Sequence, residues 1–132
     1  MSVNTSSIMY TDVVGYSKLT GDNQELALII LEEHNEILKK YTEEYSGNTV
    51  KLTGDGLCAL FDNPIDSVKC AIDIQLALYR RNQLNTKERQ VRIRIGLHYG
   101  AYEYKNNDVF GDAVNIAKNI EPIAPYGGIA IS

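Results

Sequence analysis

Thr49-Val50-Lys51-Leu52-Thr53-Gly54-Asp55-Gly56-Leu57-Cys58-Ala59-Leu60-Phe61 reads as a β-hairpin. Thr49–Thr53 is a short strand, Gly54-Asp55-Gly56 a tight turn, and Leu57–Phe61 the returning apolar strand. Upstream, 23–45 follows helical spacing, with Leu26, Ile30, Ile37 and Tyr41 near one face. Asp22 is its expected N-cap and Ser46-Gly47-Asn48 its stop. Before that helix, Ile8–Val14 reads as a buried strand. Downstream, Pro64 opens a second helix on which Val68, Ala71, Ile72, Gln75 and Tyr79 recur. Residues 91–97 alternate as a strand with Arg92 and Arg94 on the wet face. The order β-α-β-β-α-β predicts an α+β fold with a ferredoxin-like core sheet and helices on one face.

The remainder is shorter. Residues 99–104 are expected to extend a hairpin, 112–120 to form a further helix, and Ile129-Ala130-Ile131 to begin another strand. A strand starting three residues before Ser132 implies one domain over 1–132 whose C-terminal part is missing.

With 13 Lys plus Arg against 17 Asp plus Glu, the net charge of −4 argues against a nucleic-acid binder, which must neutralise a phosphate backbone. It leaves room for a single nucleotide. The polar N-terminus has no signal-peptide pattern, and the longest apolar run, 26–31, is too short for a membrane span. A cytoplasmic location follows as the expectation. Cys58 and Cys70 have no disulfide or metal spacing and read as core residues.

Two aspartates, Asp12 and Asp55, end apolar runs beside backbone that can approach closely. Strand one neighbours the hairpin in this topology, so both can meet at one sheet edge and hold hard cations. Two turn aspartates are the plainer alternative. Gly15 and Gly21 lie in the connection that feeds the first helix, where free N–H groups can cradle phosphate. In Asp108-Val109-Phe110-Gly111-Asp112-Ala113-Val114-Asn115, an acid and a glycine precede an asparagine on a helix's first turn, where Asn115 could equally cap the loop.

Together these segments resemble the catalytic domain of the class III nucleotidyl cyclases, the adenylate and guanylate cyclases. The resemblance rests on Tyr10–Tyr16, Val50–Phe61, Val91–Gly100, Asp108–Ala117 and Pro125-Tyr126-Gly127-Gly128-Ile129, in order and spacing. It implies that Asp12, Asp55 and the carbonyl of Val13 hold two Mg²⁺ or Mn²⁺ ions per site, with Gly15 and Tyr16 beside the substrate. It implies that Lys51 and Asp108 read the purine. Lysine donates and aspartate accepts, which suits adenine, so ATP is the expected substrate. Asn115 falls on the residue that orients the ribose. One helical turn on, the family has an arginine that stabilises charge on the reacting phosphorus, and Asn119 stands there. Lys118 lies about 100° around the helix and is a poor replacement. The implied site lies between two subunits of a homodimer or heterodimer. His98 is read as a strand histidine held by neighbours, and Tyr99, Tyr102 and Tyr104 as packing residues. The alternatives are a weak or inactive homologue serving as a nucleotide-binding or regulatory dimerisation module, and an unrelated ferredoxin-like ligand-binding domain.

Overall fold

The computed structural model describes residues 3–15, 21–53 and 56–132. Strand β1 (Val3–Val13) leads to helix α1 (Gln24–Glu44), the hairpin β2 (Asn48–Thr53) and β3 (Gly56–Phe61), helix α2 (Pro64–Gln83) and β4 (Ile93–Lys105). A short β5 (Asp108–Phe110), helix α3 (Asp112–Ile120) and β6 (Ile129–Ile131) follow. The sheet order is β2-β3-β1-β4-β5, with β6 parallel to β4. The first four strands pair antiparallel in the expected ferredoxin-like order.

Helices α1 and α2 cover one face of the sheet. Met9, Val13, Leu57, Ala59, Phe61, Ile93, Ile95 and Leu97 meet Ile30, Leu38, Cys70, Ala71, Ile74 and Leu78 there. The third helix packs on the opposite face, where Ala113, Val114 and Ala117 join Ile8, Cys58, Leu60, Tyr102 and Val109. That helix rests on glycine. A Cβ at Gly96 would lie 2.7 Å from the backbone of Glu121, and one at Gly100 would lie 2.7 Å from Ala113 Cβ. Both cysteines are buried thiols, as expected.

Several expectations need correction. Asn23, not Asp22, caps α1, its Oδ1 accepting from Leu26 N–H at 3.1 Å. The buried stripe of α1 is Ala27, Ile30, His34, Leu38 and Thr42, with Leu26, Ile37 and Tyr41 on its flank. On α2 the buried residues are Ser67, Cys70, Ala71, Ile74, Leu78 and Asn82, whereas Ile72 and Tyr79 are exposed. Both helices carry apolar residues around much of their girth, so polarity alone misjudged the inward direction. Strand β1 starts five residues earlier than expected because β4 is long enough to pair with it back to Val3. Residues 99–104 continue β4 itself, and the hairpin forms with β5. Of the three tyrosines there, Tyr102 is buried, while Tyr99 and Tyr104 are exposed.

The buried Asn82 has a clear purpose. Its side chain donates to Val91 C=O and accepts from Val91 N–H, both at 2.9 Å, tying the end of α2 to the approach to β4. Val91 is buried, so removal would strand two backbone groups. Asn82→Ala is expected to destabilise the fold by about 2–3 kcal/mol, read as a lower midpoint in urea unfolding.

Candidate active site

The sheet register builds the site. Asp12 at the end of β1 lies opposite Gly56 on one side and Arg94 on the other. Gly56 is required at that crossing, because a Cβ there would sit 1.9 Å from Thr11 O. Its N-terminal neighbour Asp55 and the turn glycine Gly54 lie outside the described residues, as does Tyr16. The backbone therefore sets Gly56, the first residue of β3, opposite Asp12.

Asp12 is held by a residue expected to face water. Arg94 Nε donates to Asp12 Oδ1 at 3.2 Å and its Nη2 to Oδ2 at 2.8 Å, with both side chains about a quarter exposed. The guanidinium also lies 3.4 Å from Glu121 Oε2 and 3.3 Å from Pro122 O. The ring of Tyr126 lies 5.9 Å away. The Asp12 carboxylate raises the Arg94 pKa further above its ordinary value. The wet-face expectation holds for Arg92, which is exposed, and fails for Arg94, because the alternating pattern cannot show what a neighbouring strand presents.

The donor chemistry suits a hard divalent cation. Asp12 offers carboxylate oxygens at a strand end, and the cationic guanidinium already bound there marks the spot as attractive to positive charge. Among the described residues no group of three His, Cys, Asp or Glu converges on one point. Gly15 sits just beyond β1 with φ +74°, a conformation that favours glycine.

A second cluster lies farther along the same face. Lys51 on β2 pairs across to Cys58 on β3, and Cys58 pairs to Tyr10 on β1. β5, hairpinned onto the end of β4, is carried back against β2. There Lys51 Nζ donates to both oxygens of Asp108, at 3.0 and 3.2 Å. Val109 N–H donates to Asp108 Oδ1 at 2.8 Å. This backbone bond, followed by the lysine, holds the Asp108 carboxyl below the usual aspartate range. Burial raises the Tyr10 and Cys58 pKa values, and their side chains bond to one another. The sequence reading missed Tyr10 and Cys58 as neighbours of this pair, although they follow from strand alternation once Lys51 is placed.

Asn115 and Asn119 are exposed on α3, one turn apart, while Ala113, Val114 and Ala117 face the sheet. They point away from their own sheet. Lys118, between them on the helix, is also exposed. His98 Nδ1 bonds Ser132 Oγ, consistent with a histidine held by neighbours. Among the described residues, no helix is long and apolar enough to cross a membrane.

Known proteins share this fold. The family described as Adenylate and Guanylate cyclase catalytic domain matches residues 1–132. A Rhizobium meliloti (strain 1021) protein whose name marks it as a candidate adenylate cyclase is 33% identical over 128 residues, covering 96% of this chain and 22% of that protein. An adenylate cyclase of Streptomyces griseus is 26% identical over 128 residues, covering 94% of this chain and 30% of the relative. The chain thus spans less than a third of the length of these relatives. The crystal structure of an adenylate/guanylate cyclase/hydrolase from Silicibacter pomeroyi superposes with a TM-score of 0.90 at 32% identity, covering 99% of this chain and 77% of that one. With the ferredoxin-like sheet and the strand-end aspartate in place, the chain belongs to the adenylate and guanylate cyclase catalytic domain family.

Proposed function

We propose that this domain is an adenylate cyclase that converts ATP to 3′,5′-cyclic AMP and pyrophosphate at a site shared by two subunits. The observation that carries the choice of ATP is the Lys51–Asp108 pair, a donor and an acceptor within one hydrogen-bond length. Adenine presents an acceptor at N1 and a donor at its 6-amino group. The pair answers both when each side chain turns from its partner to the base. Guanine presents the reverse pattern and would leave both charged groups mismatched.

The ribose 3′-oxygen attacks the α-phosphorus in line. The bond to the bridging oxygen breaks, pyrophosphate leaves, and the hydroxyl proton passes to solvent. Mg²⁺ or Mn²⁺ held by Asp12, the Val13 carbonyl and Asp55 would supply the Lewis acidity that lowers the hydroxyl pKa and neutralises the phosphates. Gly15 would border the phosphate side, and the resemblance gives Tyr16 the same role. Asn115, exposed on α3, would orient the ribose of the nucleotide on the partner's aspartates, so a C₂ dimer would hold two sites. Asn119 favours a second reading, a slow or silent homologue that binds nucleotide and regulates a partner. An amide brings no positive charge to the transition state.

The purified full-length protein, incubated with ATP and Mn²⁺, should form cyclic AMP. Nucleotide binding without product would select the second reading. Lys51→Ala should raise the KM for ATP about tenfold and erase discrimination against GTP, measured by assaying both cyclic products. Unchanged discrimination would sink the assignment of Lys51.

A further inference from the structure

We propose that Arg94 and Glu121 together set the metal affinity of Asp12: the guanidinium occupies the carboxylate until a divalent cation arrives, and Glu121 then keeps it paired. This inference rests on the metal role of Asp12 given above and adds two residues to it.

Arg94 meets Asp12 fork to fork, spending both carboxylate oxygens on one side chain. A divalent cation needs at least one of those oxygens and is repelled by a guanidinium bound to the same group. That repulsion favours moving Arg94 aside when the metal binds. A displaced arginine in a partly buried place needs another acceptor, since an unpaired charge there is costly. Glu121 supplies it. Its Oε2 is already 3.4 Å from Arg94 Nε, and its side chain is largely buried, so it is held in place. Pro122 O and the face of Tyr126 line the same retreat. Gly96 makes the arrangement possible. It lies two residues along β4 from Arg94 on the same face, and only the absence of a Cβ lets the backbone of Glu121 come so close.

One cation between two acids behaves as a balance. Removing the cation should tighten metal binding, and removing the second acid should weaken it. A purely structural role would not give opposite signs.

The test measures Mn²⁺ alone, without nucleotide, by calorimetry and by the electron paramagnetic resonance of free Mn²⁺, on the full-length protein at one pH. Arg94→Gln is expected to tighten Mn²⁺ binding by roughly tenfold, and Glu121→Gln to weaken it several-fold. Thermal melting checks that each variant is folded, and Arg94→Lys, which keeps the charge but loses the fork, should fall between wild type and Arg94→Gln. Unchanged affinity in both variants, or a shift of the same sign in both, overturns the proposal. Asp12→Ala separates the two levels. If wild type binds Mn²⁺ and Asp12→Ala does not, the metal reading stands whatever the fate of Arg94 and Glu121. If both bind equally, or neither binds, the metal reading and this inference fall together.

Discussion

Asp12→Ala is expected to lower cyclic AMP formation by on the order of 10³ or more while leaving the fold intact. Loss of a metal-holding carboxylate removes several kcal/mol of transition-state stabilisation, and each 1.4 kcal/mol is about a factor of ten. Stability should change little for two reasons. Asp12 is about a quarter exposed at a strand end, and its partner Arg94 retains Glu121 and Pro122 O as acceptors. Turnover of ATP and a urea melt on the same preparation check both halves. A variant that melts normally and still turns over at wild-type rate would remove Asp12 from the chemistry.

Asn119→Arg is expected to act in the opposite direction, raising turnover by roughly 10²–10³, the usual worth of one donor aimed at developing charge. The position can accept the change. Residue 119 is exposed and next to last in α3, where a cation meets the negative end of the helix favourably. Arginine is also a better helix former than asparagine. The gain should appear in kcat, with the KM for ATP nearly constant, because the charge it stabilises exists only in the transition state. An unchanged kcat in an active protein would mean that the charge comes from elsewhere, and Lys118 is the first group to test by Lys118→Ala.

Much of this architecture was legible in the residues. The hairpin turn at 54–56, the apolar run before Asp12 and the helix opening at Pro64 are local signals, and together they yield the strand order. The length of α3 was also plain, because Gly111 precedes it and its apolar residues keep helical spacing. The inward faces of α1 and α2 were not legible. His34, Ser67 and Asn82 are polar yet buried, and Ile72 and Tyr79 are apolar yet exposed. Which face of a broadly apolar helix turns inward depends on the sheet beneath it.

The candidate site divides in the same way. Asp12 and Gly56 are brought together by the pairing of β1 with β3, an adjacency the strand order predicts. Lys51 and Asp108 were paired through resemblance. What joins them physically is the return of β5 against β2, between strands that are not neighbours in the sheet.

Residue type and spacing were enough to determine the elements, their order and the acids and amides available for chemistry, because those depend on near neighbours along the chain. The partner of each charge was decided only in three dimensions. Arg94 looked like a solvated strand residue until β4 paired with β1 and set it opposite Asp12, and until Gly96 let α3 end with Glu121 beside it. Cross-strand register and helix docking are long-range matters of packing, and no local pattern encodes them.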